Sequence, residues 1–73
     1  MSDFGKRLKE LRLAKELTQK QLGESLGLSE RGIQNYELEV RKPSYDAIIV
    51  IADYFGVSVD YLLGRTDNPT IQK

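Results

Sequence analysis

The stretch from Thr18 to Glu37, TQKQLGESLGLSERGIQNYE, constrains the fold of this chain more than any other part of it. It carries two start signals and one stop signal for helices. Thr18 and Ser29 each precede a run with apolar residues at helical spacing. A hydroxyl at that point accepts from a backbone N–H that the first turn cannot satisfy internally. Gln21 stands three residues after Thr18 and completes a capping box, and Leu17 with Leu22 is spaced to staple the start. Leu28 and Ile33 repeat the staple around Ser29. Gly27 follows the pair Leu22 and Leu26, where a helix stopping in a left-handed residue uses glycine. Gly23 and Gly32 leave little bulk, as a close helix crossing requires. Two short helices around a tight turn have the spacing of a helix-turn-helix.

The flanking sequence predicts three more helices. Phe4, Leu8 and Leu11 place one apolar face on a helix over Phe4 to Leu13, with Arg12 beside that face. After a linker from Leu38 to Lys42 and Pro43, Ser44 caps a helix from Tyr45 to Phe55, whose inward face is Ile48, Ile51, Ala52 and Phe55. Gly56 ends it. Ser58 caps a short fifth helix that Val57 and Leu62 staple and Gly64 terminates. The prediction is an all-α, compact five-helix bundle over residues 1–64, with 65–73 as a loosely held, flexible tail that has little to bury.

Composition removes most functional classes. A chain of 73 residues makes one domain, and neither cysteine nor histidine is present. That excludes disulfides, thiolate or imidazole metal sites and the usual general base. No nucleophile–base pair or phosphate-cradling glycine loop is visible, so neither an enzyme nor a cofactor is expected. The longest apolar run, Ala47 to Ala52, is too short to span a membrane, and the start MSDFGKRLKE is too polar for a signal peptide. The expected location is cytoplasmic. Formal net charge is zero, yet residues 1–43 carry nine basic and seven acidic side chains against two and four in 44–73. The basic bias is modest and implies weak non-specific attraction to an anionic partner.

The Thr18–Glu37 stretch, followed by RKPS at 41–44 and GVSVDYLLG at 56–64, resembles the lambda-repressor-like (Cro/Xre) family of DNA-binding domains from about Phe4 to Gly64. The resemblance implies a regulator, a repressor by preference, that reads a palindromic operator in double-stranded DNA. Its rivals are a protein-interaction module, favoured by the zero net charge and by Glu39, and an antitoxin or restriction controller. Stepping about 100° per residue from Glu30 puts Ile33, Tyr36 and Glu37 on one side of the second motif helix, and Arg31, Gln34 and Asn35 on the other. Glu30 lies at the edge of that outer face. Arginine suits guanine, glutamine and asparagine suit adenine, and glutamate can accept from cytosine. In the family, base contacts cluster at the positions of Glu30, Arg31 and Asn35, with Gln34 nearby. Gln19, at a helix start, and Arg41 and Lys42, after the motif, are the candidates for phosphate contact.

Two departures from the family stand out. Glu39 occupies the loop position where relatives usually have glycine, and Gly23 one where they often have alanine. The family also pairs an arginine with a glutamate at the positions of Arg12 and Glu37, which implies a partly buried ion pair. Finally, Ala47, Val50 and Tyr54 add a second apolar stripe to the fourth helix. Val50 and Tyr54, extended by Tyr61 and Leu63, are the expected interface of a homodimer that forms mainly on DNA.

Overall fold

Helices in this chain start at hydroxyl residues. In the computed structural model, which describes residues 3–70, Thr18, Ser29, Ser44 and Ser58 each occupy an N-cap. Their side-chain oxygens accept from the N–H groups of Gln21, Gly32, Ala47 and Tyr61 at 2.9 to 3.1 Å. Gln21 returns the bond to the Thr18 N–H, so the capping box is complete. The helices are α1 (Phe4–Ala14), α2 (Gln19–Leu26), α3 (Glu30–Glu37), α4 (Tyr45–Phe55) and α5 (Val59–Leu62), with no strand among the described residues.

All five helices close in the same way. The N–H groups of Leu17, Leu28, Val40, Val57 and Arg65 reach back to the carbonyls of Arg12, Gly23, Asn35, Ala52 and Asp60 at 2.7 to 3.1 Å. This is the Schellman arrangement, which needs a left-handed residue just before the returning N–H. Gly27, Gly56 and Gly64 fill that place after α2, α4 and α5. After α1 and α3 it is filled by Glu16 and Glu39, at φ 58° and 57°. Leu17, Leu28 and Val57 then serve twice. Each follows a left-handed residue and precedes a capping hydroxyl, and each packs on the core.

The core is formed by Phe4, Leu8, Leu22, Ile33, Tyr36, Ile51, Ala52, Val57 and Leu62, so all five helices contribute. Phe4 meets Tyr36 edge to face, with ring centroids 5.8 Å apart. The start of α1 lies so close to the end of α3 that a Cβ on Gly5 would sit 2.6 Å from the Glu37 carbonyl oxygen. Gly23 is closely packed, but against the turn into α3: a Cβ there would come within 2.7 Å of the Leu28 carbonyl. Gly32 is not: a Cβ there would meet only the Ser29 hydroxyl, at 3.2 Å. Its proximity is to its own cap, not to a second helix.

Burial on α1 follows Phe4, Leu8 and Arg12, with Leu11 at the margin. Arg12 is therefore inside. Its Nε donates to Glu37 Oε2 at 2.6 Å, its Nη2 to Glu37 Oε1 at 3.1 Å and its Nη1 to the Leu17 carbonyl at 2.8 Å. The two side chains are 10% and 4% exposed. Within the stretch expected to hang loose, Asp67 accepts from Arg7 Nη2 at 2.7 Å, and the Pro69 carbonyl accepts from the Ser58 N–H at 3.0 Å. Arg7 also lies 4.1 Å over the Tyr61 ring. The bond to Asp67, and after it the bond to Tyr61, raise the Arg7 pKa further above its ordinary value. Residues 71–73 of that stretch lie outside the described residues.

Two outcomes follow from this packing. A non-glycine residue held left-handed costs on the order of 1–3 kcal/mol, while glycine loses about 0.5–1 kcal/mol more chain entropy on folding. Glu16→Gly and Glu39→Gly should each raise stability by about 1 kcal/mol, seen as a melting temperature roughly 4–8 °C higher. A lower urea midpoint in both variants would mean that neither turn is strained. Removing one partner of a buried ion pair costs about 3–5 kcal/mol, because the other charge stays buried. Arg12→Met and Glu37→Met should each be destabilising on that scale. Their double-mutant cycle should show coupling well above that of an exposed pair, about 1 kcal/mol at most.

Candidate nucleic-acid interface

Helix α3 is anchored by Ile33 and Tyr36, which are buried, and by the Glu37 carboxylate. That anchoring decides which side chains it offers outward. Glu30, Arg31 and Gln34 are exposed, and Asn35 is half-buried at the margin of the same face. The Asn35 carbonyl accepts from the N–H groups of Val40 and Arg41 at 3.0 and 3.3 Å, which ties the following loop to the helix end. Arg41 and Lys42 leave that loop as exposed cations. Lys42 borders a hollow of about 240 Å³ together with Phe4, Glu39, Pro43, Ile48 and Leu63. The loop thus carries two cations and one carboxylate, with Glu39 and Lys42 lining the same hollow.

Gln19 opens α2 and is half-buried. Its Nε2 donates to Glu37 Oε1 at 3.2 Å, on the carboxylate that Arg12 already holds. From sequence, Arg12 and Glu37 are expected as a pair and Gln19 as a separate phosphate contact. The structure joins all three, across α1, the start of α2 and the end of α3. Nothing in their spacing announces this, because it depends on how the three helices cross.

The four residues expected to form one apolar surface are divided. Val50 is exposed and lines a hollow of about 200 Å³ with Leu26, Leu28, Ala47 and Ile51, on the side of the α2–α3 turn. Tyr54 is exposed, with the Lys15 ammonium 5.7 Å over its ring. Leu63 lies in a different hollow, of about 250 Å³, with Tyr45, Ile48, Ile49 and Val59. Tyr61 is under the Arg7 guanidinium. Helix α4 therefore has two apolar flanks, and the one containing Tyr45 and Ile49 was not anticipated. Tyr45 alone is 80% exposed.

Among the described residues no cluster of acidic, histidine or cysteine side chains could hold a metal ion, and no helix is long and apolar enough to cross a membrane. The family model described as Helix-turn-helix matches residues 8–62. The chain is similar to the HTH-type transcriptional regulator YobD of Bacillus subtilis, at 44% identity over 90% of this chain and 59% of that protein. It is also similar to the HTH-type transcriptional regulator ImmR of the same organism, at 40% identity over 88% of this chain and 50% of that one. The chain spans only about half the length of these relatives. Among solved structures, the P22 c2 repressor protein bound to a synthetic operator superposes with a TM-score of 0.77 at 27% identity, over 82% of this chain and 91% of that one. With the family model matching most of the chain and five helices superposing on that repressor fold, the chain belongs to the lambda-repressor-like (Cro/Xre) helix-turn-helix family of DNA-binding domains.

Proposed function

We propose that this chain is the sequence-specific DNA-binding domain of a cytoplasmic transcription regulator, a repressor that acts by occupying a palindromic operator as a dimer. The observation that carries the reading is the outer face of α3, where Glu30, Arg31, Gln34 and Asn35 stand opposite the buried Ile33 and Tyr36. In a major groove, Arg31 suits guanine O6 and N7, Gln34 and Asn35 suit adenine N6 and N7, and Glu30 suits a cytosine amino group. Gln19, Arg41 and Lys42 are the groups for phosphate oxygens. Similarity to HTH-type regulators and to an operator-bound repressor supports the same assignment. Zero net charge favours a second reading, a protein-interaction module that no longer reads DNA.

Selection of bound duplexes from random DNA separates the two, since an enriched palindrome supports the regulator and no enrichment supports the module. On a selected duplex, alanine at Arg31, Gln34 or Asn35 should cost about 1–3 kcal/mol and relax preference at particular base pairs. Lys42→Ala should weaken all duplexes about equally and reduce the salt slope by about one. If all four variants bind like wild type while remaining folded, α3 is not the reading helix.

A single short helix contacts few base pairs, so two copies across a dyad, with α3 helices about 34 Å apart in successive grooves, gain by acting together. The flank of Tyr45, Ile49, Val59 and Leu63 suits this contact best. Lys15 overlies Tyr54 and Arg7 covers Tyr61, whereas Tyr45, 80% exposed, continues through Ile49 and Val59 from α4 onto α5; Val50 and Tyr54 stay exposed on the other flank. Ile49→Glu and Val59→Glu should abolish cooperative binding to the palindrome, with solution mass as a second readout. Loss confined instead to Val50→Glu and Tyr54→Glu would move the interface to the opposite flank of α4.

A further inference from the structure

We infer that Glu37 is a positioning residue for DNA binding: its buried carboxylate sets the amide of Gln19 so that the remaining N–H points outward to a phosphate oxygen. This rests on the DNA-binding reading above and adds a role to a residue whose side chain is almost wholly covered. The observation is the chain of bonds from Arg12 through Glu37 to Gln19. Glu37 Oε2 accepts from Arg12 Nε at 2.6 Å, and Oε1 accepts both from Arg12 Nη2 at 3.1 Å and from Gln19 Nε2 at 3.2 Å.

The chemistry of the acceptor fixes the orientation. A glutamine amide carries two donors on nitrogen and an acceptor oxygen, and either end can turn toward a neutral partner. A carboxylate accepts only, so the amide oxygen cannot face it and the nitrogen must. One N–H is then used inward. The second, on the same planar nitrogen, is directed away from Glu37, at the opening of α2 where Gln19 is half-buried and meets solvent. A phosphate oxygen needs a donor, and this is the donor face. Arg12 has a separate part. By pairing with Glu37 it neutralises the carboxylate that would otherwise repel the same phosphate. Through Nη1 on the Leu17 carbonyl, 2.8 Å away, it also holds the backbone leading into α2.

A role limited to stability and a positioning role differ in what they predict for binding by folded protein. The test uses the 73-residue chain, a selected duplex and an unrelated duplex, with folding of every variant checked by circular dichroism at the temperature of the assay. Wild-type binding is measured first, and its absence overturns the DNA-binding reading and this inference together. Given wild-type binding, Gln19→Ala and Glu37→Gln should each weaken both duplexes by the same factor, roughly three- to tenfold, as loss of one sequence-independent hydrogen bond does. The salt slope of Gln19→Ala, and of the charge-neutral Arg12→Met with Glu37→Met pair, should stay unchanged, because neither alters the net charge. In the Gln19→Ala background Glu37→Gln should have no further effect. The Gln19 side-chain amide protons, resolved in the wild-type nuclear magnetic resonance spectrum, should shift and broaden in Glu37→Gln. If Glu37→Gln does not fold, Arg12→Met with Glu37→Met replaces the pair by apolar bulk and should show the same loss and the same dependence on Gln19. Full affinity in the folded Glu37 variant, or equal losses with and without Gln19, would overturn the positioning role while leaving DNA binding intact.

Discussion

Arg12 and Glu37 form the interaction on which the rest of the arrangement depends. Bringing both charges out of water costs several kcal/mol each, and their attraction repays this only when geometry and additional hydrogen bonds are favourable. Both conditions hold. The guanidinium engages the carboxylate twice and places its remaining nitrogen on the Leu17 carbonyl. Three elements are thereby set against one another: α1 through Arg12, the approach to α2 through Leu17, and the end of α3 through Glu37. Apolar side chains of similar volume could fill the same space with comparable stability. What they would lack is the directional geometry of a bidentate ion pair. The pair thus joins α1, the approach to α2 and the end of α3 at one point, next to the amide of Gln19.

Helix boundaries were legible because the signals are local. Thr18, Ser29, Ser44 and Ser58 cap as their positions indicate, and Gly27, Gly56 and Gly64 stop the helices they follow. A regularity emerges only from the structure. Glu16-Leu17-Thr18, Gly27-Leu28-Ser29 and Gly56-Val57-Ser58 are one connector used three times: a left-handed residue, an apolar plug and a hydroxyl cap. The first escapes a sequence search because glutamate stands in the left-handed place. The loop after α3 begins in the same way, at Glu39 and Val40. It then inserts Arg41, Lys42 and Pro43 before the cap at Ser44. The one longer connection is thus where the cations next to α3 are found.

The candidate site divides along a similar line. The outer face of α3 was readable from a helical wheel, since Ile33 and Tyr36 leave no doubt which side is buried. Contacts between elements were not. Whether Gln19 reaches Glu37, or Val50 shares a surface with Leu63, depends on crossing angles that periodicity within one helix does not contain. On α4 the stripe of Ala47, Val50 and Tyr54 lies outside the buried set, in which α4 is represented by Ile51 and Ala52. Ile49, however, belongs to a third direction on the wheel, and Tyr45 joins it to α5 through Val59.

A neutral domain must obtain discrimination by means other than general attraction to phosphate. On the proposed reading, zero net charge predicts low non-specific affinity with a shallow salt dependence, so base contacts would account for a larger share of the total. Glu30 then has an effect that a neutral side chain would not. With α3 in a major groove, a carboxylate at its leading edge faces N7 and O6 of guanine or O4 of thymine with no donor to offer them. Only the amino groups of cytosine and adenine can satisfy it there. A mismatched base leaves the carboxylate desolvated and unpaired, which costs more than the loss of one attractive contact. Arg31, one residue away, makes the complementary demand for an acceptor. On the proposed reading, two adjacent residues of opposite charge would reject different wrong bases, and in the proposed dimer each rejection would count twice on a palindrome.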